Sequence, residues 1–251
     1  MIVNVRGIVV RSIKYGEYDR LVTVLTEDRG KILFRACGVC SLKSKNAASC
    51  QTFVFAEFIL ESKKDRYYLK KARPLHSMVK IGSDLLQMSL AYYLCEVSED
   101  CAYDVESSSQ ILKLLVNALY ILDKNDRSLD LIKAVFELRL LSALGYMPQL
   151  HECDVCQSPV KSDRYVYFDM LEGSVVCEKC QNNSFSPRRK MTRELCALIE
   201  RSISQAEASA YTVVVEAQLL SEFYDFSQAY LLAKLERNFK TLDFYKQARD
   251  G

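Results

Sequence analysis

The sequence predicts an α+β multidomain chain: an N-terminal OB-type β-barrel, followed by an all-α domain with an inserted four-cysteine zinc module. Three observations carry this. Runs rich in β-branched and aromatic residues, each bounded by turn residues, fill about the first 75 positions. From Ile81 the apolar residues recur at helical spacing instead. Two C-x-x-C pairs, Cys153/Cys156 and Cys177/Cys180, then interrupt the helical pattern before it resumes. The expected boundaries are 1–76 for a basic barrel domain, 77–150 for the first helical part, 151–184 for the zinc module and 185–251 for the second helical part.

The barrel is expected from five runs. IVNVRGIVVRSIKY (2–15), LVTVLT (21–26), KILFRAC (31–37), FVFAEFILES (53–62) and YYLKKARPL (67–75) have strand character, and EDRG and KKDR mark turns. Alternation with β-branched and aromatic enrichment is the mark of a half-buried strand. The polar gap SLKSKNAASCQ after the third run is long enough for a short helix. Five strands interrupted there suit a small Greek-key barrel, with an SH3-like barrel as the rival architecture.

The helices follow from period. DLLQMSLAYYLCEV, QILKLLVNALYIL and LDLIKAVFELRLLSALGY each place apolar residues on one side of a 3.6-residue repeat, and Gly145 and Pro148 punctuate the third. ELCALIERSIS and AQLLSEFYDFSQAYLLAKLERNF resume the pattern.

Composition excludes several classes. The chain has 251 residues, 49% hydrophobic and 26% charged, as in ordinary globular domains. Asn4 and Arg6 break the N-terminal apolar run, which argues against a signal peptide. No apolar stretch reaches the roughly 20 residues of a membrane helix. The expected location is the cytoplasm, with no membrane partner. In a reducing compartment, paired cysteines point to metal before disulfides.

Charge is unevenly placed. Through Pro74, 15 Lys and Arg face 7 Asp and Glu, a balance of +8; the rest holds 19 against 25, a balance of −6. A basic first third on an acidic remainder suggests a polyanion-facing module joined to something with another job.

Two residues between cysteines let one tight turn aim two thiolates at a single ion, and two such turns complete a tetrahedron. The candidate ligands are Cys153, Cys156, Cys177 and Cys180, with RYVYFDM, the turn LEG and SVVC forming a hairpin that returns the second pair to the first. Four thiolates fill the usual coordination sphere of Zn2+ and leave no open position, so the ion is expected to be structural. His151 reads as surface. Cys37, Cys40 and Cys50 lack a nearby fourth donor and read as small buried hydrophobes, and Cys196 reads as core.

No catalytic residues are assigned. A G-x-x-x-x-G-K-[ST] loop and an H-E-x-x-H motif are both missing, and only two histidines are present. Glu96, Glu99 and Asp100 read as a solvated helix face. The chain is not expected to be an enzyme.

The basic barrel remains as the functional candidate. Arg20, Lys31, Arg35, Lys43 and Lys45 cluster about the third strand and its following loop, and Lys63, Lys64, Arg66, Lys70 and Lys71 about the last hairpin. Tyr15, Tyr18, Phe34, Tyr67 and Tyr68 are interleaved with them. Cations that track phosphates beside rings that stack bases are what single-strand binding requires. Strand alternation, however, sends Phe34, Phe53, Phe55 and Phe58 to the core.

These residues resemble a known family. GIVVRSIKYGEYDRLVTVLTEDRGKILFRACGV, FELRLLSALGYMPQLHECDVC and YLLAKLERNFKTLDFY are similar, in order and spacing, to the opening, the zinc approach and the last helix with its tail in the RecO recombination mediators. The resemblance covers the whole chain. It implies binding of single-stranded and double-stranded DNA, annealing of complementary strands, and, with RecR, loading of RecA onto strands coated by single-strand-binding protein. It implies no ATP hydrolysis, and it transfers DNA contacts to Lys31, Arg35, Lys43 and Lys45, and to Arg20. The family's basic stretch after the third strand reads RACGVCSLKSK here, so Cys37 and Cys40 stand where two phosphate contacts are expected. The competing readings are a non-catalytic protein-interaction adaptor and an RNA-binding zinc-ribbon protein.

Overall fold

The structure, a computed structural model, describes residues 1–161, 163–183 and 188–250. The chain divides into two compact units, Met1–Asp126 with the C-terminal segment from Phe239, and Arg127–Asn238. The expected boundary between residues 184 and 185 lies outside the described residues.

In the first unit, β1 (Ile2–Tyr15), β2 (Asp19–Thr26), β3 (Lys31–Ala36), β4 (Val54–Lys63) and β5 (Arg66–Ser77) close a barrel in the order β1-β2-β3-β5-β4. The long β1 closes it by pairing antiparallel with both β2 and β4, while β3 and β5 pair in parallel. This is the OB arrangement. A row of partners runs from Ile13 through Leu21, Arg35, Tyr68 and Glu61 back to β1 at Ile2. Such a stagger is what tilts the strands of a closed barrel.

Alternation fills the interior. Val3, Val5, Val22, Val24, Ile32, Phe34, Phe58 and Leu60 are all buried there, and the Phe34 and Phe58 rings meet at 5.3 Å between centroids. Gly7 sits where β1 is pinched between its two partners: a Cβ there would lie 2.0 Å from the Leu25 carbonyl oxygen. The polar gap after β3 holds a single 3-10 turn, Ala48–Cys50, rather than an α-helix.

α1 (Leu85–Cys101) and α2 (Val105–Lys124) complete this unit with α7 (Lys240–Asp250). Asp84 caps α1 by accepting from Gln87 N–H at 2.8 Å, and Asp104 with Ser107 forms a reciprocal capping box on α2. The carboxylate face of α1 is not solvated as the sequence suggested. Glu99 is half-buried and accepts from Arg11 at 2.7 Å, while Lys31 Nζ donates to the Glu99 carbonyl at 2.7 Å. Glu96 accepts from Thr241 N–H and Oγ1, holding the first turn of α7. These carboxylates join elements; they are not a free polar face.

In the second unit, α3 (Leu129–Ala143) is buried at every residue from Leu131 to Leu141. Lys133 and Glu137, one turn apart, form a fully buried pair at 2.8 Å; Ser227 Oγ donates to the second Glu137 oxygen at 2.6 Å. Arg139 Nε donates to the Ser202 carbonyl at 2.9 Å and Nη2 to the Gln205 carbonyl, satisfying the last turn of α4 (Arg193–Ser204). α5 (Glu207–Ala210) is a single turn, and α6 (Ala217–Leu235) packs on α3.

The cysteine segment forms a small sheet of β6 (Gln149–Cys153), β7 (Tyr165–Asp169), β8 (Ser174–Val176) and β9 (Arg188–Thr192), in the order β6-β8-β7-β9. The expected hairpin is β7–β8. Phe168 anchors the sheet edge-on against Phe226 and Tyr230 of α6, at 5.0 and 5.2 Å.

Candidate metal centre and nucleic-acid interface

The sheet brings the two C-x-x-C turns together. The sulfurs of Cys153, Cys156, Cys177 and Cys180 all lie within 4.8 Å of one another. A tetrahedral site with Zn–S near 2.3 Å has edges of about 3.8 Å, and the Cys156 and Cys177 sulfurs are 3.9 Å apart. The donor chemistry therefore fits a soft, thiolate-bound ion, and the four residues can hold one.

The surroundings favour the thiolate at part of the cluster. The Cys177 N–H donates to Cys153 Sγ at 3.4 Å, and hydrogen bonds from Ser158 hold the Cys156 thiol down at about 6. The hydrogen bond to Cys177 pushes the crowded Cys180 thiol up to about 12, so proton release is unequal while four thiols share the space. His151 stays outside the cluster, exposed, with Nδ1 3.6 Å from Glu200. Cys196 is buried, as expected.

The other cysteines divide. Cys50, Cys95 and Cys101 are buried, and burial pushes the Cys50 thiol up to about 12. Cys37 is exposed and Cys40 only half-buried, so the expectation of small buried hydrophobes does not hold for this pair. Both sit on a tight turn at the end of β3, where the chain leaves the barrel wall.

The cations predicted to meet DNA fall into three environments. At the β4–β5 hairpin, Lys63, Lys64, Arg66 and Tyr68 line an open cleft of about 700 Å3. Lys64 and Asp65 make the two-residue turn with φ of 45° and 59°, which turns the hairpin sharply. Lys63 and Lys70 share one Glu61 oxygen at 3.0 and 2.7 Å, and these bonds hold the Glu61 carboxyl below the usual range, Lys70 most strongly. Lys64, Arg66 and Lys71 are exposed and have no carboxylate partner among the described residues.

At the β3–β5 seam, Arg35 pairs in register with Tyr68. Its guanidinium lies 4.8 Å from the Tyr15 ring centroid and 2.6 Å from the Asp19 carboxylate. Asp19 also accepts from the Gly38 N–H at 2.7 Å, and that bond first, then Arg35, holds its carboxyl below the usual range. Tyr15 and Tyr18 are exposed beside this pair, whereas Phe34 is core and Tyr67 packs against it.

Elsewhere the predicted cations are dispersed. Lys31 is turned to α1, and Arg20 Nη1 donates to Ser12 Oγ at 3.1 Å. Lys43 and Lys45 are exposed on the loop after β3; Asn46 Oδ1 accepts from Ala72 N–H at 3.0 Å, which sets Lys45 and Lys71 next to a bonded pair. The acidic groups Asp19, Glu61 and Glu57, the last paired with Arg6 and Arg73, were not predicted from the sequence. The signal was present for two of them: Glu57 and Glu61 alternate outward along β4 with its buried residues.

Comparison with known proteins now decides the family. Residues 1–78 match the family described as Recombination protein O N terminal, and residues 82–243 match Recombination protein O C terminal. The chain belongs to the RecO family. A DNA repair protein RecO of Acetivibrio thermocellus is 32% identical over 240 residues, covering 96% of this chain and 94% of that one. One of Alkaliphilus metalliredigens is 28% identical over 255 residues, covering 98% of this chain and all of the other, and one of Caldicellulosiruptor bescii is 24% identical over 98% of each. The RecO barrel and the four-cysteine cluster both stand in this chain as a RecO reading of the sequence expects. Among the described residues, no helix is long and apolar enough to cross a membrane.

Proposed function

We propose that residues 1–76 form a DNA-facing barrel and that this RecO-family chain acts without catalysis, as a recombination mediator. The observation that carries this reading is the cleft of Lys63, Lys64, Arg66 and Tyr68 at the β4–β5 hairpin, set beside Arg35 at the β3–β5 seam. OB barrels take up oligonucleotides on the β2–β3 face and through the β1–β2 and β4–β5 loops, and the cluster lies on that ground. Unpaired cations meet phosphates, and half-exposed rings offer a face to bases.

The activity follows from electrostatics. Two complementary strands repel, and a surface that neutralises phosphates on both lowers that barrier, while base pairing alone selects the partner. Single-stranded and double-stranded DNA both fit a backbone-reading surface. With RecR, such a protein would load RecA onto strands coated by single-strand-binding protein. Zn2+ in the four-thiolate cluster has a structural role, because no coordination position is left open. The segment 151–184 is then a metal-held module, and 77–150 with 185–251 the helical frame.

The test is annealing of two complementary, differently labelled strands, bare and coated with single-strand-binding protein. The expected result is acceleration that fades as salt is raised and that Lys64→Glu with Arg66→Glu removes. An adaptor would give no acceleration, and an RNA-binding protein would prefer strands carrying 2′-hydroxyls.

A further inference from the structure

Cys37 and Cys40 are the chemistry-bearing residues that the reading above leaves unused. They are three apart on the overlapping turns that close β3, with the Ser41 N–H donating to the Gly38 carbonyl at 3.2 Å and the Cys40 N–H to the Tyr18 carbonyl at 2.9 Å. The turn they bracket is tied to one residue: Cys40 Sγ lies 3.7 Å from the Asp19 carbonyl. The Asp19 carboxylate is what holds Arg35, at 2.6 Å, and the Gly38 N–H between the two cysteines donates to its other oxygen at 2.7 Å.

We propose that Cys37 and Cys40 are a reversible dithiol–disulfide couple whose state decides whether Asp19 holds Arg35. A C-x-x-C turn brings two thiols within reach of each other. Cys37 is exposed, so it is the attacking group; Cys40, half-buried, is the resolving one. Cys50, fully buried, is not open to attack by an oxidant from solvent.

The oxidant is a low-molecular-weight disulfide of the glutathione type. The Cys37 thiolate breaks its S–S bond, forming a mixed disulfide and releasing one glutathione thiolate. Cys40, losing its proton, attacks the Cys37 sulfur and expels the second. The two protons from the protein thiols end on the two glutathione thiols, so one disulfide is reduced as one is made. Closing the bond reshapes the turn from Cys37 to Cys40 and draws the Gly38 N–H and the Cys40 sulfur away from Asp19. Asp19 loses these two contacts, and Arg35 is released toward solvent. This mechanism stands whether or not the barrel binds DNA.

The experiment uses the full, metal-loaded chain, equilibrated with rising ratios of oxidised to reduced glutathione and then alkylated. Trypsin cuts after Arg35 and Lys43, so residues 36–43 (ACGVCSLK) report both thiols on one peptide. In reducing buffer it should take two alkyl groups. In oxidising buffer it should take none and be lighter than the unalkylated peptide by two hydrogens. A second readout is the rate at which phenylglyoxal modifies Arg35, counted as the uncut peptide 32–43, which should rise several-fold on oxidation. Cys37→Ser removes the attacking sulfur and should make that rate indifferent to glutathione. The proposal is overturned by a peptide that stays reduced, by a Cys40–Cys50 linkage, or by a disulfide that leaves Arg35 labelling unchanged.

Discussion

Arg35 is closed on Asp19 at 2.6 Å, beside Tyr68, its register partner on β5. A residue aimed at the expected DNA face is therefore already engaged within the protein. The Gly38 N–H and Arg35 hold the Asp19 carboxyl below its usual range. A carboxylate lowered in the folded state contributes stability that is fully present above about pH 4, the ordinary unfolded value, and lost as pH falls through the lower folded value. Asp19→Asn should lower Tm at neutral pH, and the difference from wild type should close in acid. Thermal melts across that range check it; a gap that is constant with pH would contradict the assignment.

The Lys133–Glu137 pair makes a different claim. Both side chains have no exposed surface, and Lys133 Nζ also lies 4.1 Å from the Tyr224 ring centroid. Removing one partner strands a buried charge, at a cost on the order of 3–5 kcal/mol. Lys133→Met alone should be severely destabilised in urea, whereas Lys133→Met with Glu137→Leu should recover most of the loss. Additive losses in the two single variants would mean the charges are not coupled.

The β4–β5 hairpin stores local strain. Asp65 holds a left-handed backbone, φ 59°, that glycine adopts freely. Asp65→Gly removes the Cβ that resists this conformation and should stabilise the first unit, read as a higher urea midpoint with unchanged slope. It also removes an acid from a cationic hairpin, so salt-dependent DNA affinity should rise rather than fall.

Metal is expected to hold the β6–β9 sheet together. Cys177→Ser should lower both bound zinc and Tm, and chelation of wild type should reproduce the shift. His151→Ala, outside the cluster, should change neither. Full thermal stability after chelation would remove the structural role.

Much of this architecture follows from period alone. The five barrel strands and the main helices stand close to their expected positions because alternation and 3.6-residue spacing are local signals. α7 does not follow from them. Lys240–Asp250 is polar overall, and its burial rests on Leu242 and Tyr245, with Phe239 just before it meeting Tyr93 of α1 at 6.1 Å. Those contacts span well over a hundred residues of sequence, and no window reveals them. Glu99 was misread for the same reason: its partners Arg11 and Lys31 are on strands far earlier in the chain. The four zinc-type cysteines were readable because metal geometry constrains their spacing, whereas Cys37 and Cys40 share that spacing on a turn that leaves Cys37 exposed.

The hairpin cleft and the β3–β5 seam together are proposed as a DNA surface. That assignment is tested most directly by fluorescence anisotropy of a labelled single-stranded oligonucleotide titrated with the protein across a range of salt. The expected result is an affinity falling log-linearly with salt, with a slope of about −0.7 for each phosphate neutralised, made shallower by Lys64→Glu with Arg66→Glu. Negligible binding at low salt, or a slope those two charges leave untouched, would contradict it.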